Sequence, residues 1–211
     1  MTGELRLSQV ILGVGDLEQA TERFRTMGFD VLDGGIHPGV GTANRIIPLG
    51  DTYLELLGVV DGPEARAGAY GRALLAAIAD GDRLVRWSLR TEEIDRVAAR
   101  LGLTVERRRR RRPDGVMLTW RAAGLDVALA DPTLPFFMQW DRPDQYPGRA
   151  PARHPNGARA IAGLAVTPSD HERFLAWTAH AAAPLRQQDA VASGLWSVSV
   201  DTPDGEMLIE P

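Results

Sequence analysis

His37 to Gly58, HPGVGTANRIIPLGDTYLELLG, is the stretch on which the reading of this chain turns. It opens as a polar loop and continues as two strands around a tight turn. Ile46, Ile47 and Leu49 make the first apolar run, and Gly50-Asp51 supplies hairpin turn residues. Tyr53, Leu54, Leu56 and Leu57 make the second run, with Glu55 set among them. A carboxylate in a strand that otherwise reads as buried is costly unless it is paired, hydrogen-bonded or metal-bound. Glu55 is therefore the residue to explain.

Working outward, Leu5 to Val14 is rich in β-branched and aliphatic residues and reads as a strand. Asp16 stands where a helix N-cap belongs, the apolar positions Leu17, Ala20, Phe24 and Met27 share a helical face, and Gly28 closes the helix. Phe29 to Leu32 opens another strand, so residues 1–60 give strand, helix and three strands. The order recurs over 82–141. Leu84 to Arg90 is a strand and Thr91 a helix cap. Ile94, Val97, Ala98 and Leu101 form a helical face, and Gly102 ends it. Strands follow at Leu103–Glu106, Val116–Arg121 and Pro135–Trp140, while Leu125–Ala130 reads as an extra strand or loop. Residues 61–81 connect the two units through an Ala/Leu-rich helix around Ala69–Ala79, and 142–158 form a loop rich in Pro, Gly and Arg. A third, shortened unit fills 159–211: a strand from Ala160, a helix starting at Thr167–Asp170 and running to about Ala182, then strands at Leu195–Val200 and Glu206–Pro211. GDTYLE (Gly50–Glu55) and GEMLIE (Gly205–Glu210) match in spacing, and on the same alignment Gln139 falls where Glu55 falls.

Composition narrows the chemistry. With no cysteine among 211 residues, disulfides, thiolate nucleophiles and zinc–thiolate or iron–sulfur sites are excluded. All 24 basic residues are arginine, which excludes a lysine Schiff base. No apolar run reaches membrane-span length and no opening segment reads as a signal peptide, so a cytoplasmic protein without a membrane partner is expected. A net charge of −4 gives no reason to expect nucleic acid. No GxSxG elbow, P-loop or dinucleotide fingerprint is present.

A repeated strand–helix–three-strand unit with a polar residue in its first strand and a glutamate in its last resembles the vicinal-oxygen-chelate superfamily, and within it the glyoxalase-like domain group. The residues carrying the likeness are His37-Pro38-Gly39, Gly41-Thr42-Ala43-Asn44, Tyr53-Leu54-Glu55-Leu56, Arg112-Pro113-Asp114-Gly115, Trp120-Arg121, Leu134 to Trp140, and His154-Pro155-Asn156-Gly157-Ala158. The resemblance implies an α+β fold in which βαβββ units pair into a curved mixed sheet around a cleft, with a degenerate third unit. It also implies metal ligands from the first and last strands of each unit. Here those positions carry Gln9 and Glu55, then Val85 or Arg86, and Gln139. Arginine and valine cannot ligate, so Gln9 and Glu55 are the weak metal candidates and a divalent ion, if used, has an incomplete ligand set. The third unit adds only Glu210.

Glu55, as the central acid–base or ligand residue, and His37 are the catalytic candidates, with Gln9, Thr42, Asn44, Gln139, Trp140 and His154 around a ligand. Each has a plainer alternative: a carboxylate satisfied by Asn44, Arg45 or Gln9, exposed loop histidines, and aromatics at Tyr53, Trp87, Trp120, Phe136, Phe137 and Trp140 that serve as core. His171 and His180 read as surface residues. The run Arg107 to Arg112 reads as a solvated hairpin from which Arg110 or Arg112 can reach the cleft and hold an anionic group. The function expected is small-molecule binding, with lyase or isomerase chemistry beside a carbonyl if it is an enzyme. The rival is a metal-free, non-catalytic binding or sequestering protein. An odd third unit leaves two expectations open: a homodimer pairing third units, or a third unit packed on the first two.

Overall fold

The computed structural model describes residues 4–179, 181–188 and 190–211. The first unit runs β1 (Arg6–Val14), α1 (Leu17–Thr26), β2 (Leu32–His37), β3 (Thr42–Leu49) and β4 (Thr52–Val59). Helices α2 (Gly62–Ala67) and α3 (Ala69–Ala77) connect it to β5 (Arg83–Arg90), α4 (Ile94–Leu101), β6 (Val105–Arg111), β7 (Met117–Ala123), α5 (Leu125–Ala130) and β8 (Phe136–Trp140). The third unit contains β9 (Ala160–Thr167), α6 (His171–Thr178), β10 (Leu185–Gln187), β11 (Gly194–Thr202) and β12 (Gly205–Ile209).

The first two units share one sheet ordered β2-β3-β4-β1-β5-β8-β7-β6. β1 and β5 lie antiparallel at its centre, and each is flanked by the last strand of its own unit in parallel, β4 beside β1 and β8 beside β5. The sheet curls until its edges nearly meet: a Cβ on Gly35 of β2 would lie 3.0 Å from the Arg111 carbonyl oxygen of β6. The fold is thus the curved mixed α+β sheet that the repeat predicts.

Both faces of the central strands are covered, which explains their near-continuous apolar runs. Val10 and Leu12 of β1 face one way, into a core with Phe24, Trp87, Leu89 and Phe137. The third unit completes that core with Ile161, Leu164, Val166, Phe174, Trp177 and Val198. Trp87 and Trp177 bury their rings and donate Nε1–H to the carbonyls of Thr133 and Pro135, at 3.1 and 2.8 Å. Gln9 and Ile11 face the opposite way, into the hollow of the curve.

Helix ends follow the sequence signals. Asp16 caps α1, its carboxylate accepting from the N–H groups of Glu18 and Gln19 at 2.9 Å. Asp16→Ala is expected to cost about 1 kcal/mol, measured as a lowered urea midpoint at unchanged slope.

Five expectations are corrected. Leu125–Ala130 is a helix, because Gly124 at φ 78 turns the chain out of β7 and five- and six-residue apolar runs do not distinguish helix from strand. β2 begins at Leu32 rather than Phe29, since Phe29 and Val31 are used as core plugs. Thr91 does not cap α4 directly; its Oγ1 accepts from Glu93 N–H, and Glu93 takes the cap position. α6 stops at Thr178, where Ala179 adopts φ 45, and His180 lies outside the described residues. The third unit is rewired: its strands run β10-β9-β11-β12, so β12 pairs with β11 at a sheet edge, whereas β4 sits beside β1. The spacing shared by Gly50–Glu55 and Gly205–Glu210 therefore does not carry over in space, and Glu210 is exposed.

Candidate functional site

The concave side of the sheet encloses a cavity of about 720 Å³. β-pairing sets residues of the central strands in rows that cross beneath it, not all of which line it. Ile46, Glu55, Ile11 and Arg86 stand in register on β3, β4, β1 and β5, and Tyr53, Gln9, Ser88 and Phe136 form the next row on β4, β1, β5 and β8. Its walls include the stacked Trp120 and Trp140, with ring centroids 5.2 Å apart, and Tyr70 of α3.

Glu55 is 7% exposed. Its Oε1 accepts from Asn44 Nδ2 at 2.8 Å, and Asn44 Oδ1 in turn accepts from Arg110 Nη1 at 2.6 Å. Burial raises the Glu55 pKa above the ordinary carboxylate value, with the Asn44 hydrogen bond and the cations Arg110 and Arg86 opposing it. Asn44 thus couples a cation to an anion across β3. Arg110 is the one member of the arginine run of β6 that is buried; Arg108 shares its face but stays exposed, and Arg107, Arg109 and Arg111 are exposed as well. Those solvated charges also guard a sheet edge. Arg112 instead pairs with Asp114 in the hairpin turn.

His37 lines the cavity and Nδ1 lies 2.9 Å from the Thr42 hydroxyl. Its pKa is pushed down to about 4, first by burial and then by Arg110, so the imidazole is neutral at pH 7. In the unfolded chain histidine takes up its proton near pH 6.5, so stability is complete above that value and falls as the pH drops towards 4. The loss reaches about 2 kcal/mol by about pH 5. His37→Gln removes it, and urea unfolding at the two pH values should show wild type losing about that much more than the variant.

The expected site residues separate cleanly. Gln9, His37, Asn44, Glu55 and Trp140 converge on the cavity. Thr42 is fully buried behind His37. Gln139 points away: β8 turns Phe136, Met138 and Trp140 inward, and Gln139 Oε1 on the other face accepts from Arg121 and from the N–H of Ile94. A one-residue slip in a strand exchanges faces, and residue spacing alone does not fix it. His154 is also remote. Its Nδ1 accepts from Asp30 N–H at 3.0 Å, Nε2 donates to the Pro48 carbonyl at 2.6 Å, and its ring edge meets Phe29, so it clamps a loop to the core. Sequence reasoning missed Tyr70 and undervalued Arg86. An arginine inside an apolar strand, RLVRWSLR, was the available signal.

Whether a metal fits is decided by the donors. Gln9 is the fourth residue of β1 and Arg86 the fourth of β5. Ile11 and Ser88 are likewise equivalent, and they pair with Glu55 and Phe136. The four ligand positions are therefore Gln9, Glu55, Arg86 and Phe136. One amide oxygen and one carboxylate remain, facing a guanidinium and a phenyl ring, and this set does not suit a resident divalent ion. Among the described residues no group of three or more His, Asp or Glu side chains is placed to hold one.

Comparison with known proteins agrees with the geometry. The model of the glyoxalase-like domain matches residues 9–182. No curated protein matches significantly. Among solved structures, a hypothetical protein from Staphylococcus aureus superposes with TM-score 0.63 at 17% identity, over 98% of this chain and 86% of that one. A xylose isomerase-like TIM barrel/4-hydroxyphenylpyruvate dioxygenase fusion protein gives TM-score 0.50 at 12% identity, over 92% of this chain and 36% of that one. Methylmalonyl-CoA epimerase from Mycobacterium tuberculosis gives 0.45 at 16% identity, over 66% and 90%. No helix among the described residues is long and apolar enough to cross a membrane. With a family match over most of its length, the chain belongs to the glyoxalase-like domain family.

Proposed function

We propose that the cavity binds a small organic molecule carrying a carbonyl and an acidic group, and that Glu55 is the general base for proton transfer beside that carbonyl. The observation that carries this reading is a buried carboxylate of raised pKa in a cavity lined by aromatic and aliphatic side chains together with Arg108, Arg109 and Arg110. Its carboxylate takes the proton of the C–H, the electron pair of that bond moves toward the carbonyl, and an enolate forms with its negative charge on oxygen. Arg110, buried in the lining of the same cavity, is one cation available to the acidic group. Family membership supports chemistry of this class, although a fold alone does not assign a reaction.

A second reading, a metal-free binding or sequestering protein, is favoured by one observation. Glu55 is already engaged by Asn44 and faced by two cations, which suits a fixed polar anchor as well as a base. Incubating the protein with pyruvate and 2-oxobutyrate in D₂O separates the two by proton NMR. Loss of the signal beside the carbonyl above the enzyme-free rate, absent in Glu55→Gln, is the result expected for catalysis. Quenching of Trp120 and Trp140 fluorescence without exchange would move the assignment to the binding protein, and neither effect would overturn the ligand class.

A further inference from the structure

Arg86 stands where the superfamily likeness calls for a metal ligand, and its setting is unusual for a structural arginine. It is 3% exposed. Its guanidinium carbon lies 4.2 Å from the centroid of the Tyr70 ring; Tyr70 lines the cavity, whereas Arg86 itself does not reach its surface. Nε and Nη2 are buried with no hydrogen-bond partner among the described residues. Close by in the same sheet, the Oε1 of Gln9, the equivalent residue of β1, is an orphaned acceptor. A buried cation with unpartnered N–H groups is costly unless an anion offsets it. Glu55, two strands away in the same row, supplies part of that offset without a hydrogen bond to those nitrogens.

We infer that Arg86 takes the place of the metal in this cavity: its guanidinium supplies the fixed positive charge that receives a ligand oxyanion, so the site binds a small carboxylate or enolate without a divalent ion. The inference rests on the cavity reading above and names its ligand class. The row Glu55–Ile11–Arg86 sets an anion and a cation on either side of one apolar residue, their backbones about 10 Å apart at two strand spacings. A molecule with an ionised oxygen at one end and a C–H at the other can span that gap, its oxygen on Arg86 and its C–H on Glu55. The oxygen reaches Arg86 as the Tyr70 ring swings aside. A planar guanidinium presents two parallel donors to a carboxylate, geometry that a lysine or a spherical ion does not reproduce.

Two measurements on the full chain test this. The first is calorimetric titration with oxalate, a planar dianion, in EDTA. Wild type is expected to bind, Arg86→Met to bind at least ten-fold more weakly, and Arg86→Lys, which keeps the charge and so guards against a variant that fails to fold, to fall between them. The second is Mn²⁺ binding followed by electron paramagnetic resonance. Arg86→Glu adds a third oxygen ligand beside Gln9 and Glu55, and is expected to bind Mn²⁺ where wild type does not. Stoichiometric Mn²⁺ in wild type that disappears in Glu55→Gln would overturn the inference, as would oxalate binding equally to wild type, Arg86→Lys and Arg86→Met. If oxalate fails to bind while uncharged phenol quenches Trp120 and Trp140, the inference falls and the cavity reading stands. If neither binds, both fall.

Discussion

Glu55→Gln is expected to lower proton exchange beside the carbonyl by roughly 10²- to 10⁴-fold, the usual contribution of a positioned general base. The amide keeps the shape of the carboxylate, and its Oε1 can still accept from Asn44 Nδ2, so the local hydrogen bonds of β3 and β4 survive the change. What it cannot do is take a proton. Turnover in wild type should rise with pH through a limb above the ordinary carboxylate range, because burial raises the Glu55 pKa and the base form is the ionised one. That limb should be missing from the residual rate of the variant. Circular dichroism and a urea midpoint measured alongside separate loss of chemistry from loss of fold. A variant that is folded and fully active would end the assignment of Glu55 as the base.

Gly34→Ala is expected to destabilise the protein by about 4 kcal/mol, combining overpacking with two weakened charge-assisted hydrogen bonds. A Cβ at position 34 would collide with Asn44 Oδ1 and stand 2.7 Å from both its Cγ and its backbone oxygen. The side-chain clash alone could be relieved by a rotamer change, but the backbone contact cannot. Asn44 is the residue that joins Arg110 to Glu55, at 2.6 and 2.8 Å. Moving it frees both charges in a buried setting and splays β2 from β3. Urea unfolding would read the stability loss. If the variant stays folded, a shift of the pH limb of turnover would report the altered surroundings of Glu55. Gly34→Ala with wild-type stability and pH dependence would show that Asn44 does not hold this geometry.

The hairpin Thr42–Val59 and the helices starting at Leu17 and Ile94 were legible because their signals are local. Gly50 turns the chain at φ 66, Asp16 caps with its own side chain, and the apolar positions recur at helical or strand spacing. The same holds for Glu55: one carboxylate in an apolar strand needs a partner wherever that strand packs. Other features depended on long-range pairing. Gln139 and Met138 are neighbours in sequence on opposite faces of β8, and only the register with β5 decides which faces the cavity. His154 resembled a site residue until its ring was seen to bridge Asp30 and Pro48, far away in sequence. Arg110 could not be told from Arg112 until the curled sheet brought β6 across to Asn44.

By itself the sequence determined the strand–helix–strand order of the first two units and the buried glutamate, because helix caps, turns and apolar periodicity act over a few residues. Tertiary structure alone decided the rewired third sheet, the inward face of β8 and the meeting of Arg86, Tyr70, Asn44 and Arg110 around Glu55. Those are set by strand register and sheet curvature, where a shift of one residue reverses every side chain and nothing in the local sequence records which alternative has the lower free energy.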